Sequence, residues 1–499
     1  MNVKVELKDK PKGGTYYGSE NVPTPDNSAL VAQLRRIVDK RFARFILRKV
    51  SNSAQFVHLL GVFAGSERAS GIIERFKAGI INSAMKRAMK PFNISDLGMI
   101  KEPLRDKFMR KAIANTLQSV AKYGITTPQK FQGPLMVVWN ITKQCNLKCK
   151  HCYASAGRRR EEELTLEQKL RVVDILDAAG CAMIAFSGGE PTTSRDFWKV
   201  AEYASKKGMY VTIATNGTLL TKENVRRLKE IGVKYVEISL DSYDPKIHDE
   251  FRGVQGAWAR TIQGIKNVVE DGSFDNAIAV TATRFNMDTI PKMIDLAEEL
   301  KVKKFIVFNF VPTGRGKEII SSDLSPQERE DLLNMIYDRW QKKVNTDIFS
   351  TSPTYSRIGI EHIEKGSGET YSPTHFANAG TNSMGVELAD FIGGCGAGRE
   401  YAAIDDNGDV FPCVFLPIKV GNILQDNFQE LWENSKLLND LRDRTNLGGA
   451  CGTCRFRNSC GGCRARAYGY YGDINAPDPG CIYNEAEYEV LVNLPLQGS

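Results

Sequence analysis

Ten of the eleven cysteines fall in two groups, Cys145 to Cys152 and Cys395 to Cys481, and no other feature narrows so far what the chain can become. A disulfide framework belongs to small secreted chains in an oxidising compartment. Here there are 499 residues, an odd cysteine count and a polar, charged first dozen residues without an apolar signal core. Cysteines two residues apart in that setting read as metal ligands. The eleventh, Cys181, follows Gly180 in an apolar run and reads as a buried structural thiol. The best apolar stretch, residues 56–65, is about half the length a spanning helix needs. The expected location is cytoplasmic, with any membrane contact peripheral, on the inner face.

Residues 1–28 are polar and rich in Gly, Pro and Lys, the composition of a flexible tail. Residues 29–130 carry a helical pattern: Leu34, Ile37, Val38, Arg41, Phe45 and Arg48 recur at spacings of three and four, as do Ile72, Ile73, Phe76, Ile80 and Ala84. Between residues 31 and 122 there are 19 Lys and Arg against 6 Asp and Glu, while the whole chain is +8. The basic character therefore belongs to this quarter, which implies a partner of its own. From residue 135 short apolar runs alternate with amphipathic helices. Strands are expected at 135–141, 183–187, 210–215, 235–240, 277–283 and 304–310. Thr165 with Gln168 forms a capping box, and Thr221 caps a later helix. This is an α/β pattern, a partial (β/α)6 TIM-like barrel over 135–320, with the chemistry at the C-terminal strand ends. A helical bridge is expected over 321–375. Residues 376–490 read as a loop-rich domain organised by metal, with a hairpin around Asp406-Asn407-Gly408-Asp409.

Cys145-x3-Cys149-x2-Cys152 follows directly on the first strand, with Tyr153 after it. Three thiolates leave one iron of a four-iron cluster open. A zinc site would need a fourth ligand, and His151 lies between two of the cysteines with poor geometry for it. With these residues the chain resembles the radical S-adenosylmethionine (SAM) superfamily. The resemblance implies that the open iron chelates SAM and that the reduced cluster splits SAM into methionine and a 5′-deoxyadenosyl radical. It also implies SAM contacts from Tyr153, from Gly188, Gly189 and Glu190 of a GGE motif, and from Asn216 after the third strand. Ser239 and Asp241 would meet the ribose, and Arg252 the SAM carboxylate. Thr283 and Asn286 would face SAM or substrate, and Val311 through Arg315 the adenine. An electron donor such as flavodoxin or ferredoxin is required.

Downstream come Cys395, Cys413, then Cys451-x2-Cys454-x5-Cys460-x2-Cys463, then Cys481. This resembles the SPASM extension of the superfamily, which implies two auxiliary clusters. The departure is two residues between the last central pair where many members have three. The resemblance implies an outer cluster on Cys451, Cys454, Cys460 and Cys481. An inner cluster would sit on Cys395, Cys413 and Cys463, completed by a non-cysteine ligand or left open to substrate. Two auxiliary clusters imply that an electron leaves the substrate radical and that the net reaction is oxidative. The string Cys460-Gly-Gly-Cys463-Arg-Ala-Arg-Ala-Tyr468 is most similar to members acting on haem-type tetrapyrroles.

For the substrate, the basic helical quarter with Phe42, Phe45, Phe56, Phe63 and Phe76 favours a large hydrophobic lipid met at an anionic membrane surface. A tetrapyrrole side chain or a peptide is the alternative, although peptide maturases often bring a small winged-helix sheet that this quarter lacks. Nucleic acid stands further off, without an aromatic platform or zinc-finger pattern. A helical packing domain with a solvated basic face is the plain reading of the same residues.

Overall fold

Strands covered on both faces read as near-continuous apolar runs, and six such runs pair in parallel and in chain order. They are β1 (Met136–Thr142), β2 (Met183–Gly188), β3 (Tyr210–Thr215), β4 (Val233–Ser239), β5 (Asp275–Ala282) and β6 (Lys304–Asn309). The computed structural model describes residues 35–36, 44, 54–89, 96–342, 345–366, 370–371, 380–381, 389–486 and 488. The tail at 1–28, the periodicity over 34–48 and Phe42 and Phe45 lie outside the described residues.

Two strands extend the six. β7 (Asp347–Ser350) pairs parallel with β6, and β8 (Tyr401–Ile404) pairs parallel with β1. β8 turns through the expected Asp406–Asp409 hairpin into β9 (Asp409–Phe411), which pairs antiparallel with β10 (Gly421–Asn422). Residues 321–375 thus hold a barrel strand as well as helices. A four-residue Asp-Ile-Phe-Ser run is too short to stand out as a strand until β6 offers it an edge. The helices between strands start where the caps put them: Thr165 and Gln168 close a full capping box, and Thr221 accepts from the Asn224 amide. The core is the contact of these helices with the strands; Trp139, Phe186 and Phe197 are fully buried in it, with Trp139 stacked on Phe186 and Phe197 meeting Phe186 edge-on. Cys181 is buried there too, donating to the Met183 carbonyl at 3.2 Å.

Ahead of the barrel the described residues are helical. Phe56, Leu60 and Phe63 of the helix Ala54–Ala64 pack with Leu104 and Ala114. Phe56 and Phe63 are therefore core residues, which corrects their expected place on a membrane-facing side; Phe76 is exposed. The helix Lys107–Tyr123 is fastened across the N-terminal end of the barrel. Lys111 bonds Asp177 at 2.6 Å and the Lys207 carbonyl at 3.0 Å, and the Asn115 amide reaches the carbonyls of Gly133 and Gly180. Phe108 lies against Tyr210 with ring centres 4.9 Å apart.

At the other end Arg466 joins the cysteine-rich region to the barrel. It is fully buried and donates to the Phe310 carbonyl and Asp323, both at 2.7 Å, and to Asp478 at 3.2 Å. Burial works to raise the Asp323 pKa, but Arg466 and Arg329 outweigh it and hold the carboxyl below its usual range. A carboxyl so depressed adds stability above its ordinary pKa and loses it as pH falls through the folded value. Arg466→Met removes the buried guanidinium shared by two carboxylates, leaving Asp323 with Arg329 and Tyr470 and Asp478 with main-chain amides, and is expected to cost about 3 kcal/mol. Anaerobic urea unfolding checks the loss, and the acid-unfolding midpoint should move to higher pH.

Candidate functional site

The lumen of the barrel is a chamber of about 410 Å³. Its floor is formed by residues near the strand starts, Met136, Met183, Tyr210, Tyr235, Asp275 and Lys304, with Phe108 below them. Its rim is formed by the loop after β1, and Cys145, Cys149 and Cys152 all open on it. That loop is held by main chain on every side. The Cys145 amide donates to Gly157, Lys148 to Arg252 and Lys150 to Phe251, all carbonyls within 3.0 Å. Arg315 reaches in from beyond β6 to the carbonyls of Cys149 at 2.9 Å and Ala156 at 2.6 Å. Two glycines allow the approach. A Cβ on Gly189 would fall 2.0 Å from the Gln144 oxygen, and one on Gly314, at φ +56°, would fall 2.4 Å from the Cys152 oxygen.

The sulfurs sit among donors suited to thiolate ligands. Cys145 accepts from the Leu147 amide and Cys152 from the Ala156 amide, each at 3.4 Å, and Arg252 approaches Cys149 at 3.7 Å. Burial pushes the Cys145 thiol up to about 12. A coordinating metal reverses that preference, because it supplies the positive charge the site lacks. This donor set fits an iron–sulfur cluster.

Around the rim the expected residues divide. Tyr153, Gly188, Gly189, Asn216, Ser239, Arg252, Val311 and Arg315 open on the chamber. Tyr153 donates to Asn140 at 2.9 Å and lies 2.7 Å from the Ser187 hydroxyl. Glu190, Asp241 and Thr283, expected to touch SAM, stand behind this ring. Glu190 is fully buried and accepts from the Asn216 amide and from Thr192 and Thr215, which spends its oxygens on the turn itself. Asp241 is fully buried and takes the Arg252 Nε at 2.5 Å. The Thr283 amide and hydroxyl donate to Asn286, which in turn donates to the Asp241 carbonyl. Strand-end position alone does not separate residues that face a ligand from those that fasten the turn.

The C-terminal cysteines gather in two sets. Cys451, Cys454, Cys460 and Cys481 surround one small cavity with Arg357, while Cys395, Cys413 and Cys463 share an apolar cluster with Tyr401 and Phe415. Cys413, Cys454 and Cys460 each accept an amide at 3.4 Å, and Cys451 accepts from the Asp478 amide and the Asn484 side chain. The Tyr401 hydroxyl donates to Cys413 at 2.7 Å. Arg357 Nε and Arg444 Nε are buried without a hydrogen-bond partner among the described residues, Arg357 beside the first set and Arg444, which donates to the Cys395 carbonyl, beside the second. Unpaired buried donors are costly, and an anionic thiolate-bound cluster answers them. Arg357, on the helix Thr354–Glu364, gave no signal in the sequence because it comes from the expected bridge.

The Radical SAM superfamily model matches residues 139–297, and that of the SPASM iron-sulfur cluster-binding domain matches residues 395–461. An AdoMet-dependent heme synthase of Methanosarcina barkeri is 38% identical over 353 residues, 70% of this chain and 97% of that protein. The chain belongs to the radical SAM superfamily, in its SPASM group. This radical SAM enzyme is also 30% identical over 362 residues to the mycofactocin maturase MftC of Mycobacterium tuberculosis, covering 71% of this chain and 84% of that one. In fold it is similar to SuiB of Streptococcus suis bound to S-adenosylmethionine, with TM-score 0.58, 22% identity and coverage of 82% and 88%. The enzyme carries a SAM-binding [4Fe–4S] cluster and auxiliary iron–sulfur clusters. Gly189→Ala drives a methyl into the cysteine loop. It is expected to remove about a third of the bound iron, one cluster of three, together with SAM cleavage. Iron analysis and the rate of 5′-deoxyadenosine formation check it.

Proposed function

We propose that this enzyme oxidises a side chain of a haem-type tetrapyrrole by hydrogen-atom abstraction. The observation that carries the reading is the 38% identity to an AdoMet-dependent heme synthase across 97% of that protein's length. A Fe-coproporphyrin III synthase from the same organism, 31% identical over 370 residues, points the same way. The chamber supports it: Phe108, Met136, Met183, Ile306, Phe308 and Phe349 make walls suited to a large apolar body. The mycofactocin maturase MftC keeps a maturase-type substrate as the alternative, but a leader-binding sheet is absent among the described residues before Met136. The names of these relatives favour a tetrapyrrole over the lipid expected from the basic quarter.

Within this reading Cys145, Cys149 and Cys152 hold the SAM-binding cluster. Cys451, Cys454, Cys460 and Cys481 hold the outer auxiliary cluster, and Cys395, Cys413 and Cys463 the inner one. When bound, the reduced cluster and SAM supply a 5′-deoxyadenosyl radical, and the auxiliary clusters supply an acceptor for one electron. The chain's own part is to position and to exclude water. Gly188, Gly189, Asn216 and Ser239 line the SAM side of the rim, and Arg252 presents its remaining guanidinium nitrogens to the SAM carboxylate while Asp241 fixes its orientation. Glu190, Asp241 and Thr283 act through these residues. Anaerobic holoenzyme given SAM, dithionite and Fe-coproporphyrin III is expected to yield 5′-deoxyadenosine matched mole for mole by porphyrin of changed mass. Nucleoside formation indifferent to the porphyrin, with the porphyrin unaltered, overturns the reading.

A second reading concerns location. Ile72, Ile73, Phe76 and Ile80 lie on one side of the helix Ile72–Met89 and are 83%, 71%, 70% and 53% exposed, beside exposed Arg75, Lys77 and Lys86. Together with the basic excess of this quarter, such a ridge suits the surface of an anionic bilayer. No helix among the described residues is long and apolar enough to cross a membrane. Co-sedimentation with phosphatidylserine vesicles should be salt-sensitive and should drop at least several-fold in Ile73→Ser/Phe76→Ser. Equal sedimentation of both forms removes this reading.

A further inference from the structure

Along β4 the lumen-facing positions are Tyr235, Glu237 and Ser239, since alternate residues of a strand share a face. All three line the chamber. Glu237 stands two residues below Ser239, about 6–7 Å down the strand from the rim. In register on either side are Ala214 of β3 and Ala277 of β5, and the polar chamber-lining residues of those strands, Thr212, Asp275 and Thr281, make no hydrogen bond or ion pair with it. No hydrogen bond or ion pair joins its carboxyl to any described residue. Such a group in a mostly apolar chamber is costly to the fold and has no structural task.

Apart from His151, whose Nδ1 is buried without a partner among the described residues, and the three rim cysteines, the other ionisable groups facing the chamber are engaged. On the floor Lys304 pairs with Asp275 and lies over the Tyr235 ring, and Tyr210 packs on Phe108. At the rim Tyr153, Arg252, Arg315 and Tyr401 are committed to Asn140, Asp241, the cysteine-loop carbonyls and Cys413. His151 stacks on Phe251 and, with the three rim cysteines, belongs to the cluster loop. Burial alone pushes Glu237 up to about 7, whereas an ordinary glutamate is ionised well below that. An apolar substrate that displaced water would favour the protonated form further.

We propose that Glu237 is a substrate-binding residue that carries its proton into the complex and donates it in a hydrogen bond to a carboxylate on an otherwise apolar substrate. The proposal rests on the tetrapyrrole reading, and it names the feature of that substrate which the lumen recognises. A protonated carboxyl facing a carboxylate forms a short, charge-assisted O–H···O bond. Two ionised carboxylates there would repel each other in a poorly screened space. Binding therefore weakens as Glu237 loses its proton.

The test is titration of the anaerobic, cluster-loaded enzyme with Fe-coproporphyrin III, followed by the porphyrin absorbance between pH 6 and pH 8.5. Its tetramethyl ester serves as a probe without carboxylates. Wild-type affinity is expected to be level at the acid end and to fall toward tenfold per pH unit above about 7. Glu237→Gln keeps a donor and loses the proton equilibrium, so it should bind tightly at every pH. Glu237→Leu should bind at least tenfold more weakly at pH 6 and show no pH dependence, and the ester should bind without pH dependence. Iron content and visible spectrum of each variant identify any misfolded form, and Glu237→Gln then carries the test. Wild-type binding that ignores pH, or Glu237→Leu binding like wild type, overturns the inference and leaves the tetrapyrrole reading standing. Binding that strengthens with pH and is lost in Glu237→Gln assigns Glu237 to a cation and also overturns it. No porphyrin binding by the wild type overturns both.

Discussion

The cysteine loop after β1 is held by main chain against main chain, and the rest of the structure depends on that contact. Gly189 bears on Gln144 and Gly314 on Cys152 and Tyr153, with separations that exclude any side chain. Backbone packing of this kind orients three sulfurs without using side chains that the chemistry needs. It also makes the loop the meeting point of β1, β2 and β6, so the barrel must be assembled before the cysteines converge. Arg315 adds a tie from the sixth strand, and the carbonyls of Phe251 and Arg252 add one from beyond the fourth.

Buried charge does much of the remaining joining. Arg252 and Asp241 pair beneath the rim, with burial opposing and the guanidinium outweighing it, so the Asp241 carboxyl stays below its usual range. Arg466 bridges Asp323 and Asp478 at the seam with the cysteine-rich region. Pairs of this kind add little net stability compared with apolar packing, but breaking one is severe. They suit a molecule in which a radical chamber and two sets of cysteines must keep a constant separation. The N-terminal quarter takes part as well. Its last helix closes the floor with Phe108, so a segment outside both family matches shapes the chamber.

Much of the fold was legible because strands buried on both faces announce themselves as apolar runs, and six were identified to within about two residues. β7 and β8 were not, since Asp347–Ser350 and Tyr401–Ile404 are short and become strands only against β6 and β1. The membrane-facing phenylalanines were misread in part for a related reason. Helical periodicity marks an apolar side but not its neighbour, and Phe56 and Phe63 found theirs inside the protein.

By itself the sequence determined the chemistry: three cysteines at C-x3-C-x2-C, a GGE turn at the next strand end, and seven more cysteines near the C-terminus are local patterns that ligand valence and backbone sterics make specific. Only the tertiary structure decided which side chains face the chamber. Glu190, Asp241 and Thr283 lie behind the rim while Glu237 and Phe108 stand in the lumen, because orientation toward a cavity depends on strand register and on what packs behind. Neither is written in any one stretch of chain.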